Sequence, residues 1–596
     1  MADPRTGSLG DAGTKPGDIS DVVRGGATPA MVINSFISEP PTDAAAIRAE
    51  LDAVEAAKRP PFDRAMETAG DLPTIPVNRL TPFEVVVRSW EAIHGANQPP
   101  WVFRRGSLIV EVAESEDGPR MADCGSPGVH GVLLRTARYV HVITKKDGCE
   151  YEKPVDPPRA ISIDMVAFVS NKLPVLDSII RAPVFAFGGR LIRAPGYDAA
   201  SHLYYRPPQG FIEPRVPDVP TDRDVAGAKS LLIEQWLGDF PFETDADRTH
   251  AVALMLLPLC RRLFDGPSPL HVIEAAERGT GKSLLAKVLM APSQSVLPEP
   301  SILPKEDDET RKKITSMLRG GQQVMYFDNL SGMVDSDALA AVLTSERWED
   351  RLLGSSTAVK YANRATWIAT GNNAELSTDI ARRAIRIRLN RQMERPWEWT
   401  GAKIDGSLET WTLNHRRELL GAGLTLVQSW CAQGMPECKA QLGSFEGWAR
   451  VLGGVMAHVG MPDFLANLHK MYEQSDTGLR EVRAFVLTWW DEQGNKATSA
   501  TELATMADTH GLLASTLGAA QNERAKAMRI GRMVNRHRDR VLSGLRIVVC
   551  DSAHQNLYRL DAVDPANVPT RNLAVARPNG PPRWADPPPP RDEDRW

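Results

Sequence analysis

Cysteine is scarce in this chain, and what there is shows no pairing pattern. Cys124, Cys149, Cys260, Cys431, Cys438 and Cys550 are scattered over 596 residues, with no C-x-x-C pair and no cysteine–histidine cluster at zinc-ligand spacing. That argues against a disulfide framework and a structural zinc site, and makes a reduced cytoplasm the simplest compartment to expect. Long apolar runs are missing too. The longest, AVALMLLPLC at 251–260, contains Pro258 and is too short to cross a bilayer, so it reads as a buried helix and no membrane association is expected. The start, MADPRTGSLGDAGTKPGD, has neither a basic stretch nor an apolar core, so no secretory signal is expected. There is no excess of positive charge either: the net charge is −5, and any nucleic-acid binding must rest on local basic patches. With 42% apolar and 24% charged residues the composition is that of an ordinary soluble protein. The length allows about three or four domains.

What is present centres on AERGTGKS, Ala276 to Ser283, which reads as a P-loop. The run HVIEA before it suits a buried strand, and LLAKVLM after it has helical spacing. A glycine-rich turn between strand and helix lets successive N–H groups point at an anion, and the helix adds the positive end of its dipole. The cradle is expected from Ala276, Glu277, Arg278, Gly279, Thr280, Gly281, Lys282, Ser283 and Leu284. Lys282 is placed to reach the β- and γ-phosphates of ATP, and the Ser283 hydroxyl to ligate Mg²⁺.

Two more strand tips fit such a site. Val324, Met325, Tyr326 and Phe327 form a continuous apolar run ending at Asp328, as expected of a buried strand lying beside the P-loop strand with its terminal carboxylate on Mg²⁺. ATWIAT at 365–370 is a third strand, and Asn372 and Asn373 at its tip are candidates to sense the γ-phosphate or position water. Arg382 and Arg383 follow in LSTDIARRAIRIRLN, where an arginine can reach a neighbouring subunit's nucleotide.

Around this core the chain divides by pattern. Residues 1–60 read as mostly disordered with one helix at 43–59, and 61–213 as an α+β accessory domain of short strands and hairpins. No chemistry is evident in the accessory domain; His141 and His202 read as packing or surface residues. A proline-rich linker at 214–224 leads to alternating helix and strand over 225–395, which predicts a parallel sheet covered by helices on both faces. Helical spacing over 396–495 predicts an all-α lid, with Trp411, Trp430, Trp448, Trp489 and Trp490 as core rather than base-stacking residues.

AERGTGKS, VMYFDN, WIATGNN and DIARR, in this order, resemble the core of an AAA+ ATPase, and more narrowly the superfamily-3-like helicases of phages, plasmids and integrated elements, including phage and poxvirus-type primase-helicases. The resemblance covers 225–395 well and 100–215 weakly. It implies a ring, usually a hexamer, that pulls DNA through its centre using ATP. It also implies a pore hairpin between Asp328 and the third strand. DRLLG and AVKYAN pair around GSST there, offering Lys360 and Arg364, with Arg351, to single-stranded DNA phosphates. One position departs from the family pattern: Asn329 follows Asp328 where most AAA+ proteins have an acidic general base, and an amide cannot take the proton. Glu274, Glu277 and Asp335 are the candidate replacements.

The segment 496–562 reads as three helices and a hairpin, a winged helix, and 563–596 as a disordered proline-rich tail. Its third helix, NERAKAMRIGRMVNRHRDRVL, is strongly basic, with Arg529, Arg532 and Arg536 among the residues offered to duplex DNA. The expected fold is therefore multidomain α/β: an AAA+ P-loop core preceded by an α+β domain and followed by an all-α lid and a winged helix. The expected function is an ATP-dependent DNA helicase of a phage or mobile element. The alternatives are an AAA+ loader acting on a protein, or a nucleotide-switched replication initiator with weak hydrolysis.

Overall fold

The computed structural model describes residues 72–115, 118–351, 358–401, 403–468, 471–472, 477–518, 522–550 and 556–563. The expected helix at 43–59, the tail beyond 563 and the hairpin tip at 352–357 lie outside the described residues. The chain forms two compact units, Met1–Tyr472 and Glu473–Trp596.

The first unit is built on a four-stranded, wholly parallel sheet. Its P-loop strand, Leu270–Ala275, is buried at every position. Leu270 and Val272 join one core cluster, Ile273 and Ala275 another, so the period-two alternation sends side chains into cores on both faces. The strand order is Val324–Leu330, Thr366–Asn372, Leu270–Ala275, Ala384–Leu389. This overturns the expectation that the Asp328 strand lies beside the P-loop strand: Thr366–Asn372 is inserted between them. Trp367, Ile368 and Ala369 are apolar on both faces, which suits the central place. Val324–Leu330 takes the edge, where Ser301 caps it through Ser301 N–H to Tyr326 O (2.8 Å) and Asp328 N–H to Ser301 O (2.9 Å).

The helix Asp245–Cys260 starts from a capping box between Thr244 and Asp247 and packs under the sheet. Leu254, Leu256, Leu257 and Leu259 are each fully buried, contributing about 1.5–3 kcal/mol apiece. Helices Arg416–Ala432 and Glu446–His458 share this core, and Gly423 allows close approach to Met255, Leu256 and Leu259. The proline-rich stretch before Thr221 is packed down rather than free: Val216 is buried and the Asp218 carbonyl accepts from Gln428 at 2.7 Å.

Residues 72–213 form short sheets and helices of which the first, Pro82–Ala96, opens on a Thr81–Glu84 capping box. Arg105 joins this region to the core by donating to the carbonyls of Leu318 (2.9 Å) and Arg319 (2.6 Å), at the negative end of helix Asp307–Arg319. Asp123 pairs with Arg319 at 2.8 Å.

In the second unit, helices Thr477–Gln493, Ala500–Thr509 and Glu523–Arg536 surround a core with a four-stranded antiparallel sheet. Helix Thr477–Gln493 therefore does not belong to the all-α lid. Phe485 and Trp489 pack with Leu503, Ile530 and Leu560, so the boundary falls at 472/473 rather than 495/496. A helix's apolar stripe does not say which neighbour it will cover. Trp430, Trp448 and Trp489 are buried, and Trp411 stacks on His415 with centroids 4.0 Å apart.

Candidate functional site

The P-loop joins the end of strand Leu270–Ala275 to helix Lys282–Gln294. Gly279 and Gly281 hold φ of 74° and 96°, the left-handed region open to glycine, and this curls the loop ahead of the helix. Trp397 closes on the loop from outside, so that a side chain at 279 would meet its Cβ at 2.9 Å. Lys282 Nζ rests on the Glu277 carbonyl at 3.0 Å, and Thr280 Oγ1 donates to the same carbonyl at 2.8 Å. Burial lowers the affinity of Lys282 for its proton, Asp328 opposes that, and Arg278 adds to it.

Ser283 and Asp328 come together across the inserted strand. Asp328 Oδ1 accepts from Ser283 Oγ (2.8 Å), from Tyr326 OH (2.9 Å) and from Thr370 Oγ1. Thr370 in turn accepts the Asn329 N–H at 3.0 Å, completing a chain of donors. Burial pushes the Asp328 carboxyl up, but the hydrogen bonds from Thr370, Ser283 and Tyr326 outweigh it and hold the carboxyl below its ordinary value. The strand register shifts between Phe327 and Leu330, and Asn329 turns to φ 58°, a bulge that aims Asp328 at the P-loop. A serine hydroxyl and an ionised carboxylate are the oxygen ligands that Mg²⁺ takes beside phosphates, so these residues fit the metal. Among the described residues there is no cluster of three or more His, Cys, Asp or Glu able to hold a metal without a further ligand.

Asn372 and Asn373 lie at the same end. Asn372 is in register with Ala275, and its Oδ1 is buried without a partner among the described residues. Asn373 donates its N–H to Ala275 O at 3.1 Å and holds φ 44°. Its Oδ1 accepts from Arg388 Nη2 at 3.3 Å. Arg388 also pairs with Glu274 (2.9 Å) and Glu243 (2.8 Å), which ties the P-loop strand, its neighbour and the asparagine tip together. Of the candidate bases, Glu274 is buried between Arg388 and Arg386, the latter at 3.5 Å. Burial raises its carboxyl and the two guanidiniums pull the other way, leaving it raised. Glu277 is exposed on the loop, and Asp335 follows the short strand Met333–Val334.

Arg382 and Arg383 stand at the other end of the sheet. Arg383 O accepts from Leu270 N at 2.9 Å, at the start of the P-loop strand, about 20 Å from the loop at ~3.3 Å per residue. Arg383 is tied to Asp379 in its own helix turn, whereas Arg382 is exposed. Both therefore stand away from the P-loop of their own chain.

The expected pore hairpin pairs Arg347–Arg351 with Ala358–Ala362. Its base is rooted on helix Asp307–Arg319 through Arg311 to Asp350 (2.5 Å) and Trp348 to Thr315 (2.8 Å). Lys360 is on this hairpin, exposed, and faces Glu349 at 3.2 Å. Arg364 is not: it lies beyond the last paired residue and bonds Asp265 at 3.1 Å, because the chain has already turned toward strand Thr366–Asn372.

On helix Glu523–Arg536, Arg524, Arg532 and Arg536 are exposed at four-residue spacing, with exposed Met528 between them, and Ile530 and Val534 are buried opposite. Arg529 instead braces the helix, donating to Thr516 O at 3.1 Å.

Sequence reading missed Tyr326, Thr370, Arg388 and Trp397. A tyrosine inside an apolar run and a threonine in a strand carry no local mark of where their hydroxyls go. The alternation IRIRL gave a signal for Arg388, since a basic residue in a buried strand needs a partner.

No known family model matches the chain, and no curated protein matches it. Among solved structures, the chain is similar to the apo A form of the NrS-1 C-terminal region at 13% identity and a TM-score of 0.34, covering 73% of this chain and 98% of that one. A second apo structure of that region matches at 12% identity and a TM-score of 0.32, covering 72% and 98%.

Proposed function

We propose that this chain is a magnesium-dependent ATPase of AAA+ type that moves DNA, acting as a helicase or translocase in a hexameric ring. The observation that carries this reading is the 2.8 Å contact between Ser283 Oγ and Asp328 Oδ1, which closes a P-loop onto a carboxylate from a different strand. Mg²⁺, when bound, would supply positive charge against the developing charge of the phosphates. Ser283 and Asp328 would hold it, with Thr370 and Tyr326 keeping the carboxylate ionised and oriented. Lys282, lifted from the Glu277 carbonyl, would meet the phosphates. The partnerless Asn372 Oδ1 and the Arg388-held Asn373 are the polar groups at the strand tip that can position water. Glu274, whose carboxyl is raised, is the candidate to take the proton in place of Asn329.

The exposed Arg382, at the sheet end away from its own P-loop, supports action on a neighbour's nucleotide. The C-terminal unit, with helices, a sheet and an arginine row on its last long helix, supports a winged-helix contact with duplex DNA. Lys360 and Arg351 are the proposed hairpin cations left for single-stranded DNA.

A second reading, a nucleotide-switched initiator with slow turnover, is favoured by the exposed Asn329 amide beside Asp328. ATP turnover and forked-DNA unwinding by the wild type and Lys282→Ala, with particle images of the same samples, separate the two. Turnover stimulated by single-stranded DNA, in rings, supports the helicase. ATP-dependent duplex binding without turnover supports the initiator, and a monomer in ATP and DNA contradicts the trans-arginine role.

A further inference from the structure

The end of the sheet opposite the P-loop holds a cavity that the nucleotide chemistry does not use. It has about 40 Å³ of room and is lined by Ser178, Arg261, Arg262, Gln323, Arg364 and Thr366, among others. Gln323 and Thr366 stand at the beginnings of two core strands, Arg261 and Arg262 just past helix Asp245–Cys260, and Ser178 on a strand of the N-terminal region. The cavity is therefore a seam between that region and the core.

The charge there does not balance. Arg262 pairs with Asp177 at 2.9 Å, and Arg364 with Asp265 at 3.1 Å, an aspartate whose side chain is 82% exposed. Arg261 is only 6% exposed and, among the described residues, contacts no carboxylate. Its Nη donors go to the carbonyls of Phe264 (3.4 Å), Gly266 (2.7 Å) and Asn363 (3.1 Å), and its Nε has no partner. A guanidinium cannot shed its proton, so a buried one must find negative charge or bear the cost of lacking it. Burial, then Arg364 and Arg262, destabilise its charged form, and Asp265 and Glu346 oppose them without balancing them.

Size selects among anions. One water needs about 10–15 Å³ by this measure, so the cavity takes roughly three waters or one tetrahedral oxyanion. Ser178 Oγ accepts from Gln323 Nε2 at 2.9 Å and keeps its own proton to donate inward.

We propose that this cavity binds a single phosphate group, clamped by Arg261, Arg262 and Arg364 at the seam between the N-terminal region and the parallel-sheet core. The phosphate can be free inorganic phosphate or the terminal phosphate of a DNA strand; the recognising chemistry is the same. The site is independent of the P-loop reading.

The experiment is calorimetric titration of the full chain with inorganic phosphate, against chloride at equal ionic strength, in wild type, Lys282→Ala, Arg364→Gln and Arg262→Gln. Thermal unfolding of each variant checks its fold. Saturable binding should persist in Lys282→Ala and weaken at least tenfold in Arg364→Gln and in Arg262→Gln. Loss in Lys282→Ala would assign the phosphate to the P-loop and overturn the proposal. Unchanged binding in both arginine variants, or an equal response to chloride, would overturn it too. Competition between phosphate and a 5′-phosphorylated oligonucleotide, absent with the unphosphorylated one, identifies the strand end as the source; no competition identifies free phosphate.

Discussion

The two ends of the parallel sheet handle charge in opposite ways. At the P-loop end, Asp328 is surrounded by three hydroxyl donors and Arg388 by two carboxylates and an amide. At the far end Arg261 has three carbonyls and the face of the Phe264 ring, and Arg382 and Arg364 reach outward or toward an exposed aspartate. The first end is organised around a carboxylate whose hydrogen bonds favour its ionised form. The second carries positive charge still in need of a partner. One sheet can do both because strand tips and strand starts are built from different loops, and only the tips border the glycine-rich turn.

The largest effect should come from the P-loop end. Lys282→Ala is expected to lower ATP turnover by about 100-fold or more, the loss usual for one preorganised donor at a reacting charge. A turnover assay under saturating DNA checks it. An equal loss in Arg382→Ala that is restored by mixing with Lys282→Ala subunits would show the two sheet ends meeting across a subunit boundary.

His250 and His271 are buried and pushed down to about 4 and about 3 by burial. His250 is held neutral between Arg386 O and the Leu465 N–H. Unfolded histidines titrate near 6.5, so below that pH the unfolded state binds protons the folded state refuses. Stability is full above about pH 6.5 and should fall by up to about 2.7 kcal/mol per pH unit as pH drops toward 4. Denaturant melts at pH 7.5, 6 and 5 measure this, and a flat profile would contradict the buried neutral pair.

Gly279→Ala asks for a left-handed alanine that also meets Trp397. It should cost about 1–2 kcal/mol and weaken nucleotide binding, read by thermal shift with and without ATP. The smallest effect concerns the C-terminal unit. Arg532→Ala and Arg536→Ala should each reduce the salt slope of duplex binding by about 1, whereas Arg529→Ala, which removes a brace, should lower stability more than it changes the slope.

Much of the sheet was legible because its signals are local. VMYFDN and WIATGNN are apolar runs ended by polar tips, and strand, glycine turn and helix follow each other at AERGTGKS. The strand order was not legible, since no local pattern says that Thr366–Asn372 sits between two earlier strands. That order decides the site: it brings Thr370 against Asp328 and leaves Tyr326 to point at the same carboxylate. Arg364 was misplaced for a similar reason, because the sequence does not mark where hairpin pairing stops. Helix Thr477–Gln493 read as lid because an apolar stripe fits any core.

The most direct test of the central claim is ATP binding to wild type and Asp328→Asn with and without Mg²⁺. The account predicts that wild type binds more tightly with Mg²⁺ than in chelator, and that Asp328→Asn still binds ATP but loses that difference. The same Mg²⁺ dependence in both proteins would contradict the pairing of Ser283 and Asp328 as the metal site.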